Sequence, residues 1–366
     1  MPAEHARFSP SSADRIIHCP GSLLLGEGIP ETESDAMREG TEAHAWAEYE
    51  LLRAYGEPPE DLPVKGEFHS EEMEYCARDY AAYAMEKVSA LKEECGDVLL
   101  LTEQRLLFTD WVPDAFGTSD CVILSGRKAC LIDYKYGRGH IVDAEQNAQL
   151  QCYALGLLQT FGDLYDFESI SMCIFQPRRE HVSEWTISVP DLIKWGEEVL
   201  QPAAVQAMNG TGEFHEGDWC WTCRAKYRCA KRAEANLELA RLEFREANLL
   251  TDEEMEDVLD RADRIAEWAS DVKEFAFQQA LGGKVWTNWK LVEGRSNRRY
   301  MDEEKAAEAV RGLGLDPYEH KILGITDMEK LLGKKRFSEL LKPYVEKPKG
   351  KPTLVRSSDK RASITL

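Results

Sequence analysis

The sequence has no apolar run approaching the ~18 residues that a membrane span needs, and its first thirty residues lack the basic-then-apolar pattern of an export signal. A membrane or secreted protein is not expected; a cytoplasmic one is. Cysteine is too sparse for a disulfide scaffold, with ten in 366 residues. Reduced thiols or metal ligation are therefore expected in place of bridges. Basic charge is also short, since 45 Lys and Arg face 66 Asp and Glu, a net charge of -21. That balance excludes a broad basic face coating nucleic acid indiscriminately. It leaves room for a small positive groove, because screening at physiological salt acts over about 8 Å. Internal repeats are absent. What is present is an ordinary globular composition, 43% hydrophobic and 30% charged, in a chain long enough for two domains or for one large domain with an appendage.

Phe8-Ser9-Pro10-Ser11-Ser12 offers helix-start chemistry before Ala13 to His18, and Cys19-Pro20-Gly21 closes that turn. From Ser34 to about Tyr55, Met37, Gly40, Ala43, Ala47 and Leu51 recur at spacings of three and four, which predicts an amphipathic helix with His44 on the same face. A second helix is expected from about Glu71 to Glu94. Strands are expected at Val98 to Phe108, Ser119 to Leu124, Ala129 to Tyr134, Ile170 to Phe175 and Glu184 to Val189, with a hairpin turning at Gly126. Asp143 is the expected cap of a helix running to about Thr160. The resulting order of helix, three strands, helix and two strands predicts a mixed α/β core. Beyond Cys229, the stripe Met255, Val258, Leu259, Ala262, Ile265, Ala266, Ala269, Val272 and Ala276 predicts one long helix.

Strand alternation puts Asp133 and Lys135 on one face and Tyr134 on the other, so a carboxylate and an ammonium point into one space. The partner strand of the hairpin can set Asp120 beside Asp133. Clustered carboxylates repel one another, and a divalent cation relieves the repulsion. Mg²⁺ or Mn²⁺ suits oxygen ligands, and a nitrogen from His44 leans the preference toward Mn²⁺. The bland alternative for Asp133 and Lys135 alone is a surface ion pair at a strand end. Gln149 and Tyr153, four residues apart, are also compatible with simple helix packing.

Taken in order, His44, Gly117-x-x-Asp120, Asp133-x-Lys135 and Gln149-Leu-Gln-Cys-Tyr153 resemble the motifs of the PD-(D/E)XK nucleases of the RecB type. The resemblance covers about residues 8 to 232 and implies a restriction-endonuclease-like core, a mixed central sheet flanked by helices. It implies domains at 1–232 for the nuclease and 233–366 for a largely helical extension. It further implies that His44, Asp120, Asp133 and the Tyr134 carbonyl bind the metal. Lys135 would position water or stabilise the reacting phosphorus, and Gln149 and Tyr153 would steady the DNA or the site. The implied activity is a metal-dependent DNA exonuclease acting on ends or single strands, in phage recombination or DNA end processing, with a single-strand annealing protein as a partner. Phosphodiester hydrolysis needs an activated water and neutralised phosphate charge, and metal plus lysine meets both needs. A non-cleaving DNA-end-binding module of a larger complex is the alternative from a different class.

Cys220-x-x-Cys223-x5-Cys229, flanked by Trp219, Trp221 and Tyr227, is one ligand short of a four-thiolate site. Cys19 is the candidate fourth. Its setting resembles the iron-sulfur subgroup of the same nucleases, which implies a [4Fe-4S] cluster stapling the two ends of the nuclease domain. Structural zinc or unligated thiols are the alternatives. Cys76, Cys95, Cys121, Cys130, Cys152 and Cys173 lack ligand spacing and are expected in the core.

Toward the C-terminus, Trp286 and Trp289 with Lys290, Arg295, Arg298 and Arg299 suit either a single-strand stacking surface or a β-hairpin packed on the long helix. Residues Lys334 to Arg361 carry a local excess of +7, and Lys342 to Pro352 reads as extended. This region resembles the extension of phage- and prophage-encoded nuclease-like proteins, which implies a bacterial host cell.

Overall fold

The computed structural model describes residues 7–29, 34–240, 252–292, 303–312, 317–318 and 322–346. Two compact units divide at Leu291/Val292. The first contains α1 (Ala13–His18), α2 (Ser22–Gly26), α3 (Asp35–Tyr55), α4 (Glu71–Cys95), β1 (Leu99–Leu107), β2 (Phe116–Ser125) and β3 (Lys128–Tyr134). It continues with α5 (Ala148–Phe161), β4 (Ser169–Gln176), β5 (His181–Ser188), α6 (Val189–Trp195), α7 (Gln201–Asn209), α8 (Ala230–Ala240) and α9 (Asp252–Leu281). The five strands form one sheet in the order β1-β2-β3-β4-β5, antiparallel except for the β3/β4 pair. Helix α5 makes the crossover that a parallel pair requires. This is the expected α/β architecture, a mixed sheet flanked by helices.

Alternation along the strands builds two cores, one on each face. Val122, Leu124 and Leu131 pack with Leu150, Leu155 and Leu157 of α5, and with Ile16 of α1. Ile123 and Ile132 pack on the opposite face with Trp46 and Leu51 of α3 and Tyr80 of α4. Each burial of a large apolar side chain stabilises by roughly 1.5–3 kcal/mol. Helix α5 is buried nearly all round, and Gly156 lets it close onto β1, because a Cβ there would stand 2.8 Å from Leu106 Cβ.

Helix α3 starts where Ser34 Oγ accepts a hydrogen bond from Met37 N and stops at Gly56, whose φ of 98° glycine adopts without strain. The hairpin turns at Gly126, as its sequence predicts. The cap of α5 is Asn147, not Asp143. Asp143 lies 3.2 Å from His181 Nε2, and Ser183 and Gln176 take up the neighbouring N–H groups of Ala144 and Val142, so helix begins only at Ala148. Helices α2, α6 and α7 have no counterpart in the sequence reading.

Among the described residues following α9 no strand forms before Val292; Trp286 instead folds back and donates Nε1–H to the Ala276 carbonyl. Arg295, Arg298 and Arg299 lie outside the described residues. The second unit, Val292–Leu366, contains α10 (Glu303–Arg311), α11 (Ile325–Leu332) and α12 (Lys334–Leu341). Lys342–Tyr344 forms a single 3₁₀ turn where extended chain is expected, because the turn continues directly from α12. The basic tail beyond residue 346 lies outside the described residues. Among the described residues no helix is long and apolar enough to cross a membrane.

Candidate active site

Strands β2 and β3 pair Cys121 with Ile132, and the register carried one step further sets Asp120 opposite Asp133. Asp133 is 4% exposed. Its Oδ1 accepts from Lys135 Nζ at 3.3 Å and from Gln149 Nε2 at 3.2 Å, while Oδ2 keeps only an ion-pair contact to Lys135 at 3.0 Å. Gln149 also accepts from Lys135 Nζ at 3.2 Å and donates to Tyr153 Oη at 3.1 Å. Lys135, Asp133, Gln149 and Tyr153 therefore form one hydrogen-bonded line from the strand end to α5. Burial raises the Asp133 carboxyl above its ordinary range, and the Asp120 charge adds to this while Lys135 opposes it. Burial works against the Lys135 ammonium, but Asp133 and Asp120 overcome that and hold its pKa above the ordinary value.

Asp120, on the same face as Asp133, has different partners. Its Oδ2 accepts from the Tyr134 backbone N–H at 2.7 Å, and Oδ1 lies 3.2 Å from His44 Nδ1 on α3. Burial pulls the His44 pKa down, and the carboxylates of Asp120, Asp133 and Glu103 more than reverse it, to about 8. The Tyr134 ring is on the opposite face from Asp133, as expected, packed 4.8 Å from Tyr80 and edge-on to His44 at 5.5 Å.

Glu103 is the residue that sequence reasoning missed. The β1/β2 register pairs Thr102 with Cys121 and Gln104 with Ser119, which sets Glu103 across from Asp120. One ligand atom each from His44, Glu103 and Asp120 all lie within 4.8 Å of one another. Although the residue is exposed overall, desolvation of its carboxyl by neighbouring groups first, and then the Asp120 charge, raise the Glu103 pKa to about 7. Its φ of 45° puts a glutamate in the left-handed region in the middle of a strand, a strain typical of functional positions. The signal in the sequence was a lone acid in Leu99-Leu-Leu-Thr-Glu103-Gln-Arg-Leu-Leu107. Asp133, expected as a metal ligand, stands beside this trio and is engaged by Lys135 and Gln149.

Gly117 explains the glycine of its motif. A Cβ at that position would strike the Pro10 ring and stand 2.7 Å from Tyr153 Cε1, so its absence lets the N-terminal segment and α5 meet over β2.

The four candidate cysteines, 19, 220, 223 and 229, line one cavity, together with Arg15, Lys226 and Arg232. Cys19 is brought there because the Pro20-Gly21 turn packs on Gly212, with Gly21 N donating to Glu213 O at 3.1 Å. The His215 backbone N–H donates to Cys19 Sγ at 3.4 Å. Burial raises the Cys220 and Cys223 thiols, whereas backbone N–H groups of Gly217 and Ala225 and the charges of Arg232 and Arg15 act in the opposite direction. N–H donors and cations around four sulfurs fit a group held by thiolates. Of the other cysteines, 76, 121, 130, 152 and 173 are buried as expected, and Cys95 is half-buried.

A solved structure described as "Crystal structure of SSO0001" is 14% identical to this chain, with a TM-score of 0.25, covering 58% of this chain and 95% of that one. Residues 5–362 match the family described as "Protein of unknown function (DUF2800)", and the chain belongs to that family.

Proposed function

We propose that this protein is a divalent-metal-dependent deoxyribonuclease of the PD-(D/E)XK, RecB-like type, acting on DNA ends. The observation that carries the reading is the adjacency of two constellations: the His44, Glu103 and Asp120 trio, and the Asp133, Lys135, Gln149 and Tyr153 line. Each has a role in phosphodiester hydrolysis. A cation held by His44, Glu103 and Asp120, with Asp133 and the Tyr134 carbonyl adjacent, would supply Lewis-acid activation of water and neutralise phosphate charge. Mg²⁺ and Mn²⁺ both suit these ligands, and the imidazole nitrogen favours Mn²⁺.

The chain's own groups do the rest. Lys135 keeps its ammonium protonated through Asp133 and Asp120, and presents it as a fixed donor to the negative charge that builds on a phosphate oxygen. Gln149 clamps both Asp133 and Lys135, so the donor is oriented before substrate arrives. Tyr153 fixes Gln149 in turn. The four cysteines would hold a [4Fe-4S] cluster that joins residues 19 and 220, closing a loop of about 200 residues and strongly constraining the unfolded chain.

The test is cleavage of a linear duplex by anaerobically purified protein with Mg²⁺ or Mn²⁺, beside Lys135→Ala. Loss of cleavage in a variant with an unchanged circular dichroism spectrum is expected. Full retained activity would sink the assignment.

A further inference from the structure

Beside the His44, Glu103 and Asp120 trio the sheet carries a second row of side chains that neither the two cores nor the hydrogen-bonded line uses. In the β1/β2 register Arg105 stands opposite Thr118, two residues along from Glu103 on β1 and from Asp120 on β2. Residues two apart on a strand share a face, so Thr118 lies on the face of Asp120. Directly opposed residues share a face as well, which brings Arg105 there too. The Arg105 and Thr118 row therefore adjoins the Glu103 and Asp120 row, about 6.8 Å further along the strands. One more step along the register brings Leu107 opposite Phe116.

Arg105 is exposed, and its guanidinium carbon lies 3.7 Å from the centre of the Phe116 ring. A guanidinium laid on an aromatic face keeps its N–H groups in its own plane, free to donate past the edge of the ring. Among the described residues Arg105 forms no ion pair, unlike Arg38, Arg53, Arg127, Arg138 and Arg178, each of which meets a carboxylate. Thr118 is exposed as well, and among the described residues its hydroxyl has no hydrogen-bond partner. The carboxylates next in the register, Glu103 and Asp120, belong to the trio whose ligand atoms lie within 4.8 Å of one another, so a cation engages them and leaves the guanidinium to an anion. Such donors, one row from a metal site, match a phosphate, and the step between rows is of the order of the separation of successive phosphates along an extended strand.

We propose that Arg105, seated on Phe116, and Thr118 together bind the phosphate next to the scissile one, on a single DNA strand lying across β1 and β2. The inference deepens the nuclease reading and rests on it for the position of the scissile phosphate, but the guanidinium and hydroxyl contacts themselves need no metal. Their role is to hold the strand in register over the trio.

The experiment has two arms, both on the full chain. The first is equilibrium binding of a labelled single-stranded oligonucleotide in EDTA, where nothing is cut, by wild type, Arg105→Gln, Arg105→Lys and Thr118→Val. Arg127→Gln is the charge-matched control, since Arg127 pairs with Asp166 and Glu168 beyond the other end of β2. Arg105→Gln should bind about tenfold more weakly than the control, with a salt dependence shallower by about 0.7, the loss of one phosphate contact on a single strand. Arg105→Lys should fall between the two, because it keeps the charge without the planar fork. Thr118→Val should weaken binding about threefold with the salt dependence unchanged, the loss of one uncharged donor. The second arm is cleavage in Mn²⁺ of strands carrying one neutral methylphosphonate linkage, moved one position at a time past the cut. Immediately beside the scissile linkage, on one side, it should lower the kcat/KM of wild type about tenfold and cost Arg105→Gln nothing further.

Binding and salt dependence of Arg105→Gln equal to those of Arg127→Gln would overturn the proposal. So would a methylphosphonate penalty that persists undiminished in Arg105→Gln, or the lack of one at either flanking linkage in wild type. Displacement of the strand by micromolar inorganic phosphate would overturn it in favour of a free-anion site. Cleavage by wild type with unweakened binding by Arg105→Gln would remove this contact and leave the nuclease standing. Weakened binding with the shallower salt dependence, and no cleavage by wild type with either metal, would keep the row as a strand contact and overturn the nuclease reading.

Discussion

Gln149 makes three of the hydrogen bonds that define the site, to Lys135, Asp133 and Tyr153, yet its amide is neither acid nor base at any ordinary pH. Its contribution is orientation. Gln149→Ala should lower kcat about 10–100-fold while leaving Mn²⁺ affinity unchanged, because none of its hydrogen bonds is to the His44, Glu103 and Asp120 trio. An equal fall in Mn²⁺ affinity, read by titration calorimetry, would contradict that division of labour. Glu103→Gln should do the opposite first, weakening Mn²⁺ by tenfold or more through loss of a carboxylate ligand. At Gly117 the issue is space. Gly117→Ala would push against Pro10 and Tyr153 and should destabilise the chain by about 1–3 kcal/mol in a urea titration. A midpoint equal to that of wild type would show that Pro10 and Tyr153 are free to give way.

Elements show where sequence was sufficient. Helix α3 follows from the three-and-four spacing of its apolar residues, and all five strands follow from β-branched and aromatic runs bounded by turns, which the sheet buries between two helical layers. Asp120 and Asp133 were also legible, since one hairpin at Gly126 fixes their register. Glu103 was not, because it becomes a neighbour of Asp120 only once β1 is paired, and no local motif reports that pairing. The start of α5 was missed because His181, Ser183 and Gln176, all distant in sequence, hold residues 142–144 out of the helix.

The cysteine loop is held by α9 in the same long-range way. Arg232, 4% exposed, pairs with Asp271 of α9 at 2.5 Å, Lys226 pairs with the same carboxylate at 2.9 Å, and Tyr227 stacks on Phe275 at 4.2 Å. Asp271→Ala leaves a buried arginine beside Cys220, which should destabilise by about 3–5 kcal/mol and shorten the lifetime of the visible absorbance in air. Cys19→Ser should abolish that absorbance altogether, whereas a colourless, zinc-containing wild type would overturn the cluster assignment.

At the scale of the whole molecule, a strongly acidic chain gathers its candidate site in its first unit: every residue of that site, from Cys19 through Cys229, lies within Met1–Leu291. That arrangement is expected of an enzyme that engages a strand locally and relies on screening to hide its distant carboxylates. Its activity should accordingly fall steeply with added salt. Whether this region hydrolyses DNA decides the assignment. The direct measurement is cleavage of end-labelled linear DNA and of closed circular DNA by anaerobically purified full-length protein, with Mg²⁺ or Mn²⁺ and with EDTA, beside Asp133→Ala and Lys135→Ala. Degradation of the linear substrate alone, dependent on the metal and abolished in both variants, is the predicted result. A folded, metal-replete protein that leaves both substrates intact, or variants that cleave as wild type does, would contradict it.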